Sequence, residues 1–319
     1  MSDPASGGDA APTLTVLVPD ATGEEVLNRL DGVRAVRYDE KAGPDGLPDA
    51  AAQAQVLVPG FLSADDARAL LDRCPQARLV QLLTAGAERW IDRLPDGVGL
   101  SDCQGAHGGV TAEWVLAGLL AVLREIPVFA RNQQTGHWDQ HLTDTLTGKR
   151  VLLVGTGDLG EQTERRLRPF DVASVTRVGR RAREGVHATS ELPDLLPQAD
   201  VVVLLVPLTD ETRGMVDADF LAAMGDGAVL VNAARGPIVD TDALLAELRA
   251  ERLRAVVAVV DPEPLPSDHP LWSAPNLLIT PHVGGSVPGH LGRAYAVVTT
   301  QIEAVARGED PPNLVQGQY

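Results

Sequence analysis

Apolar, β-branched runs of strand length punctuate this chain, and stretches with helical spacing separate most of them. Residues 13–18 end at Pro19-Asp20, residues 54–58 end at Pro59-Gly60, and residues 78–83 run into Thr84-Ala85-Gly86-Ala87. Continuous apolar runs bounded by turn residues predict buried parallel strands. Helical patterns cover 23–30 and 63–73, the second opening on a Ser63 cap with Asp65 and Asp66 near its positive end. Residues 111–129 predict one long helix that no strand interrupts and that links two series of elements. The second series reads strand 151–154, helix 158–168, strands 173–178 and 201–206, helix 218–224, strand 228–231, helix 241–250, and strands 255–260 and 276–280. A last helix is expected over 291–307. Alternation of this kind is the signature of parallel α/β layers.

Length and composition narrow the reading. A chain of 319 residues suggests about two domains with separate cores. Cys74 and Cys103 are the only cysteines, too few for a disulfide framework and without metal-ligand spacing, so no metal is expected and a reducing cytoplasm is the natural compartment. Residues 1–12 are small, polar and acidic, unlike a signal peptide, and are expected to form a disordered lead-in. The longest apolar runs, such as 201–206, fall far short of the roughly 20 residues that span a bilayer. The 44 acidic residues against 27 basic ones leave a formal charge of -17, which disfavours nucleic acid and anionic lipid as partners. A small anionic substrate therefore needs a locally positive pocket, and individual arginines become informative.

Gly155-Thr156-Gly157-Asp158-Leu159-Gly160 follows an apolar strand and opens a helix at once. That context suits a dinucleotide pyrophosphate: Gly155 permits the tight turn, Gly157 lets backbone approach the phosphates, and Gly160 allows close helix–strand packing. Asp158 and Leu159 complete the loop at the helix start. At the end of the next strand, where a carboxylate would bind the ribose hydroxyls of NAD, the chain reads Val178-Gly179-Arg180-Arg181-Ala182-Arg183. An arginine pairs instead with a 2'-phosphate, so NADP is the expected cofactor, NAD remains an option, and Arg180 and Arg181 are the expected ligands. The bland alternative is a solvated basic turn.

Farther along stand Val206-Pro207-Leu208-Thr209 with Glu211-Thr212-Arg213-Gly214, Asn232-Ala233-Ala234-Arg235-Gly236, Asp261-Pro262-Glu263-Pro264, and Thr280-Pro281-His282 with Gly284-Gly285. With these motifs the chain resembles the D-isomer-specific 2-hydroxyacid dehydrogenase family from about residue 56 to residue 315. The resemblance implies two Rossmann-like α/β domains: a flavodoxin-like substrate domain over 1–101 plus 289–319, and a doubly wound dinucleotide-binding domain over 102–288. It implies that Arg235 binds the substrate carboxylate and carbonyl, that His282 moves the proton, and that Glu263 orients the histidine. Pro207, Thr212, Ala233 and Arg235 match cofactor positions, Ala85 and Gly86 match a loop that closes on the substrate carboxylate, and Phe61 is placed to shape the substrate pocket. A homodimer built through 136–145 is also implied.

The chemistry stands on its own footing. Reducing a 2-keto acid needs a hydride donor, a proton donor at the carbonyl oxygen, and a cation for the carboxylate. Arg235 has the planar fork, and His282 beside Glu263 can carry the proton as imidazolium. The expected activity is therefore NAD(P)-dependent reduction of a small 2-keto acid, or oxidation of the 2-hydroxy acid. His107 and Trp138 receive no role. One residue departs from the family pattern: Ala258 stands where an aspartate near the nicotinamide is usual. Losing one charge-assisted contact costs about 1.5–3 kcal/mol if nothing replaces it. Ala258 thus keeps open a low-turnover or regulatory NADP(H)-binding protein, or a dehydrogenase with an unusual substrate. Asp171, where glycine is common in the family, tolerates a left-handed turn.

Overall fold

A computed structural model describes residues 13–60, 62–91 and 93–316. The lead-in expected over 1–12, and Phe61, lie outside the described residues. The chain divides into two compact units, Met1–Ala106 with Gly289–Tyr319, and His107–Pro288.

The first unit holds strands β1 (Leu14–Val18), β2 (Val33–Arg37), β3 (Val56–Leu57), β4 (Leu79–Gln81) and β5 (Gly99–Ser101), with helices α1 (Ala21–Leu27) and α2 (Ala64–Leu71). Its parallel sheet has the order β2-β1-β3-β4-β5, the flavodoxin-like arrangement. Alternate residues of β1 divide between its two faces. Leu14, Val16 and Val18 pack with Tyr295, Val298 and Ile302 of the final helix, whereas Leu17 packs with Ala67, Leu70 and Leu71 of α2. Each fully buried large aliphatic side chain contributes about 1.5–3 kcal/mol. Cys103 is buried here, and its thiol is pushed up to about 12, by burial first and by the charge of Asp102 second. Such a thiol is inert toward alkylating reagents at neutral pH.

The second unit holds α3 (Gly108–Leu123), α4 (Ile126–Thr135), β6 (Arg150–Val154), α5 (Asp158–Leu167), β7 (Ser174–Gly179), β8 (His187–Ala188), α6 (Leu192–Leu195), β9 (Val201–Leu204), α7 (Ala218–Ala223), β10 (Val229–Asn232), α8 (Thr241–Arg249), β11 (Arg254–Val257) and β12 (Leu277–Ile279). The last helix, α9 (His290–Ala306), belongs to the first unit. The seven strands run parallel in the order β12-β11-β10-β9-β6-β7-β8. This is a doubly wound sheet whose strand order reverses between β6 and β9, the point where such sheets leave a crevice. Val151, Leu153, Val201, Val203, Val229 and Val231 face Leu116, Leu119 and Leu123 of α3, and the intervening strand residues face Phe220, Leu221 and Leu244.

The long helix expected over 111–129 is two helices. Pro127 lacks the N–H that would continue the ladder, and Glu125 takes a left-handed φ of 52° between α3 and α4. Asp171 also turns left-handed, at φ 54°.

After α4 the chain runs without helix or strand through 137–145, exposing Trp138 (89%) and Leu142 (99%). Asp144 fastens this segment, accepting hydrogen bonds from Arg254 at 2.7 Å and from the Thr145 backbone at 2.8 Å, and pairing with Lys149 at 2.9 Å. Partial burial pushes its carboxyl up, but the Arg254 and Lys149 contacts outweigh it and hold the group down to about 2. A carboxyl held below its unfolded value near 3.9 stabilises the fold above about pH 4 and loses that contribution as pH falls toward 2. Asp144→Asn should therefore lower unfolding free energy by on the order of 1–2 kcal/mol at neutral pH, with wild type and variant converging near pH 2. Denaturant melts at several pH values check this.

Candidate active site

The sequence-singled residues of the second unit gather at the carboxyl ends of β6, β7, β9, β10, β11 and β12. At β6 the chain turns at Gly155, whose φ is 125° and whose amide donates to the Val178 carbonyl at 2.9 Å. A Cβ on Gly155 would strike the Leu205 carbonyl, and one on Gly160 would strike the carbonyl of Gly155. Only glycine fits both places. Gly157 is the N-cap of α5 and provides no side-chain cap. The first amides of α5 therefore have no partner within the helix, and the positive end of its dipole lies at the glycine loop. These residues fit a dinucleotide pyrophosphate. Asp158 turns its carboxylate away to the start of α3, against Gly108, where a Cβ would clash with it. Leu159 is half-buried, and its carbonyl accepts from Thr163 at 2.7 Å.

The arginines after β7 do not share one environment. Arg180 is exposed and pairs with Glu211 at 2.5 Å, whereas Arg181 is exposed in the turn that follows. Arg183 donates to Thr156 Oγ1 of the glycine loop at 2.8 Å. Sequence reasoning assigned no role to Arg183 or Glu211. The run of arginines was visible, but which of them folds back over the loop depends on the turn closed by the Arg183–Val186 backbone bonds. Beyond β9, Thr212 Oγ1 donates to the Pro207 carbonyl at 2.7 Å and accepts from the Thr209 amide at 2.8 Å, making 207–212 a tight polar turn.

At the end of β10, Ala233 is buried and its amide donates to the Leu204 carbonyl of β9. Asn232, 1% exposed, accepts from the Ala234 amide at 3.0 Å and donates to the Arg235 carbonyl at 3.1 Å. Its amide thus ties down the turn that presents Arg235, a positioning contact the sequence reading did not assign. The Arg235 guanidinium donates to the Ala234 carbonyl at 2.7 Å. Gly236 lies directly under the Val260 carbonyl, so a Cβ there would push apart the turn and the segment leading to Glu263.

Backbone bonds join the next two strand ends to this turn. The Ala258 amide donates to the Asn232 carbonyl at 2.9 Å, and the Ala258 carbonyl accepts from the His282 amide at 2.8 Å. Ala258 is 4% exposed. His282 holds a left-handed φ of 53°, uncommon for a non-glycine residue, so the surrounding bonds fix it there. Its Nδ1 lies 3.1 Å from Glu263 Oε2. A carboxylate only accepts, so Nδ1 carries the hydrogen and Nε2 is the ring atom able to exchange a proton. The His282 side chain is 53% exposed and Glu263 29%. Gly284 and Gly285 let the following loop pass close to Thr111, Trp114 and His107. A guanidinium fork after β10 and a carboxylate-oriented imidazole after β12, joined through the backbone of Ala258 beyond β11 between them, can hold an anion and move a proton.

In the first unit, Ala85 and Gly86 lie on the bend after β4, Ala85 exposed and Gly86 half-buried. The Thr84 carbonyl accepts from the Cys103 amide at 2.9 Å and anchors that bend. Among the described residues no group of three or more His, Cys, Asp or Glu side chains is arranged to hold a metal ion, and no helix is long and apolar enough to cross a membrane.

Comparison with known proteins bears on what this arrangement serves. The family model for the D-isomer specific 2-hydroxyacid dehydrogenase, NAD binding domain, matches residues 116–284. A glyoxylate reductase of Thermofilum pendens is 32% identical over 263 residues, covering 77% of this chain and 77% of its own. A D-isomer specific 2-hydroxyacid dehydrogenase family protein from Aeromonas salmonicida superposes with a TM-score of 0.82 at 27% identity, over 96% of this chain and 99% of its own. A D-isomer specific 2-hydroxyacid dehydrogenase from Xanthobacter autotrophicus, solved with NADPH and MES, gives 0.78 at 28% identity, over 96% and 98%. A family model spanning more than half of the sequence, with a relative of 32% identity over more than two thirds of it, shows that this chain belongs to the D-isomer specific 2-hydroxyacid dehydrogenase family of NAD(P)-dependent oxidoreductases.

Proposed function

We propose that the protein reduces a small 2-keto acid such as glyoxylate with NADPH, using Arg235, His282 and Glu263. The observation that carries this reading is the His282–Glu263 contact at 3.1 Å, on the strand end whose backbone is bonded through Ala258 to the turn bearing Arg235. Arg235 holds the carboxylate and draws electron density toward the carbonyl oxygen. His282 donates a proton from Nε2 to that oxygen, while Glu263 fixes the ring through Nδ1 and balances the imidazolium. When bound, the reduced nicotinamide supplies the hydride. Gly155, Gly157 and Gly160 with Asp158, Leu159, Pro207, Thr212 and Ala233 hold the cofactor, and Arg180 and Arg181 favour the 2'-phosphate. Ala85 and Gly86 offer backbone to the substrate carboxylate. The related Xanthobacter enzyme was solved with NADPH, which supports the cofactor choice. The exposed Trp138 and Leu142 support a homodimer built through 136–145, and light scattering giving a single-chain mass would contradict it.

The test is cofactor oxidation with glyoxylate, hydroxypyruvate, phenylpyruvate and longer 2-keto acids, using NADPH beside NADH. Turnover with at least one short acid and a preference for NADPH is expected. Ala258 favours a second reading, a low-turnover protein that binds cofactor without using it well. Ala258→Asp separates the two: about a ten-fold gain in turnover or NADPH affinity is expected if the missing carboxylate weakens the nicotinamide grip. No gain in either would remove Ala258 as a cause of weak activity.

A further inference from the structure

β7 and β9 flank β6 on opposite sides, so the ends of β7 and β9 are two strand spacings apart, roughly 10 Å. Arg180, after β7, and Glu211, in the turn after β9, nevertheless meet at 2.5 Å. Their ion pair therefore joins the segments that leave β7 and β9, the strands on either side of β6. A pyrophosphate on the α5 N-terminus directs its adenosine ribose toward the end of β7, where Arg180 stands. Glu211 is held by a stiff turn, since Arg213 N donates to the Thr209 carbonyl at 2.9 Å and the two threonines bond each other. Arg183 is anchored on Thr156 of the loop itself.

We propose that Glu211 is a specificity-determining counter-ion: it occupies Arg180 in the free protein, competes with the cofactor's 2'-phosphate for that guanidinium, and so limits the preference for NADP over NAD. The inference rests on the NADPH reading above and goes beyond it by assigning a residue that opposes the preference. A 2'-phosphate carries about -1.5 to -2 charges near neutral pH, and it must both separate Arg180 from Glu211 and lie beside that carboxylate. A ribose 2'-hydroxyl does neither. Arg183 is the cation already fixed over the loop, and it remains available when Arg180 is engaged by Glu211. An exposed ion pair is worth little by itself, so the effect is modest and salt-sensitive.

The experiment measures binding to the full chain by calorimetry, with adenosine 2',5'-bisphosphate and 5'-AMP as probes, at low and high salt. Glu211→Gln is expected to tighten the bisphosphate about five-fold at low salt, to leave 5'-AMP within about two-fold, and to lose most of its gain at high salt. Arg183→Gln is expected to weaken the bisphosphate and spare 5'-AMP. If wild type separates the two probes but Glu211→Gln leaves the bisphosphate unchanged or weaker, the counter-ion role is overturned while the NADPH reading stands. A selective loss of 5'-AMP binding would make Glu211 a ribose acceptor and overturns it as well. If wild type binds the bisphosphate no better than 5'-AMP, the NADPH reading itself fails and takes this inference with it.

Discussion

Exchanging His282 for Gln lowers kcat for 2-keto acid reduction about 10²–10⁴-fold, the range for losing a positioned proton donor. Gln keeps much of the ring's size and can still donate a hydrogen bond to Glu263, so the strand end should stay in place. What disappears is the ability to release and regain a proton at Nε2. Cofactor affinity should change by less than about two-fold, because the glycine cradle and the arginines after β7 are untouched. Steady-state kinetics with a separate cofactor titration measure both. Equal rates for wild type and variant would remove His282 from the proton path. Glu263→Gln should fall between the two, since the ring would keep its partner but lose the charge that balances imidazolium.

Arg235→Lys is expected to lower kcat/KM roughly 10²–10³-fold, with a lower kcat and a higher KM. Lysine keeps the charge but replaces the planar fork with a single ammonium, which cannot bond the carboxylate and the carbonyl oxygen in one plane. The turn itself should survive, because its bonds come from Asn232 to the Ala234 amide and the Arg235 carbonyl. A rise in KM with kcat unchanged would mean that Arg235 only captures the carboxylate.

Much of this architecture was legible before the fold was known, for a physical reason. Central parallel strands are buried on both faces and must be continuously apolar, as at 151–154 and 201–206, so they stand out. The three strands missed, Val33–Arg37, Gly99–Ser101 and His187–Ala188, all lie at sheet edges. Each has one neighbour in its sheet; Val33–Arg37 alternates buried with exposed, Gly99–Ser101 is three residues long with only a single bridge, Ser101 to Leu314, on its other side, and His187–Ala188 is two residues long. The break at Glu125 was hidden because Pro127 was read as part of an apolar helix. At the site, glycines that tolerate no Cβ announced themselves as motifs. The contacts of Arg183 with Thr156 and of Arg180 with Glu211 did not, because they join residues 27 and 31 positions apart through two different strand ends. Ala258 was visible as a departure, but its backbone link between Asn232 and His282 appears only in three dimensions.

The proposed reaction moves hydride to the C2 carbon of a 2-keto acid while His282 protonates the oxygen. It is tested most directly by incubating the protein with glyoxylate and NADPH deuterated at the transferable position of nicotinamide C4. Deuterium is expected at C2 of the glycolate formed, at a rate that collapses in His282→Gln. Unlabelled glycolate, or no glycolate from a protein that binds NADPH tightly, would contradict it.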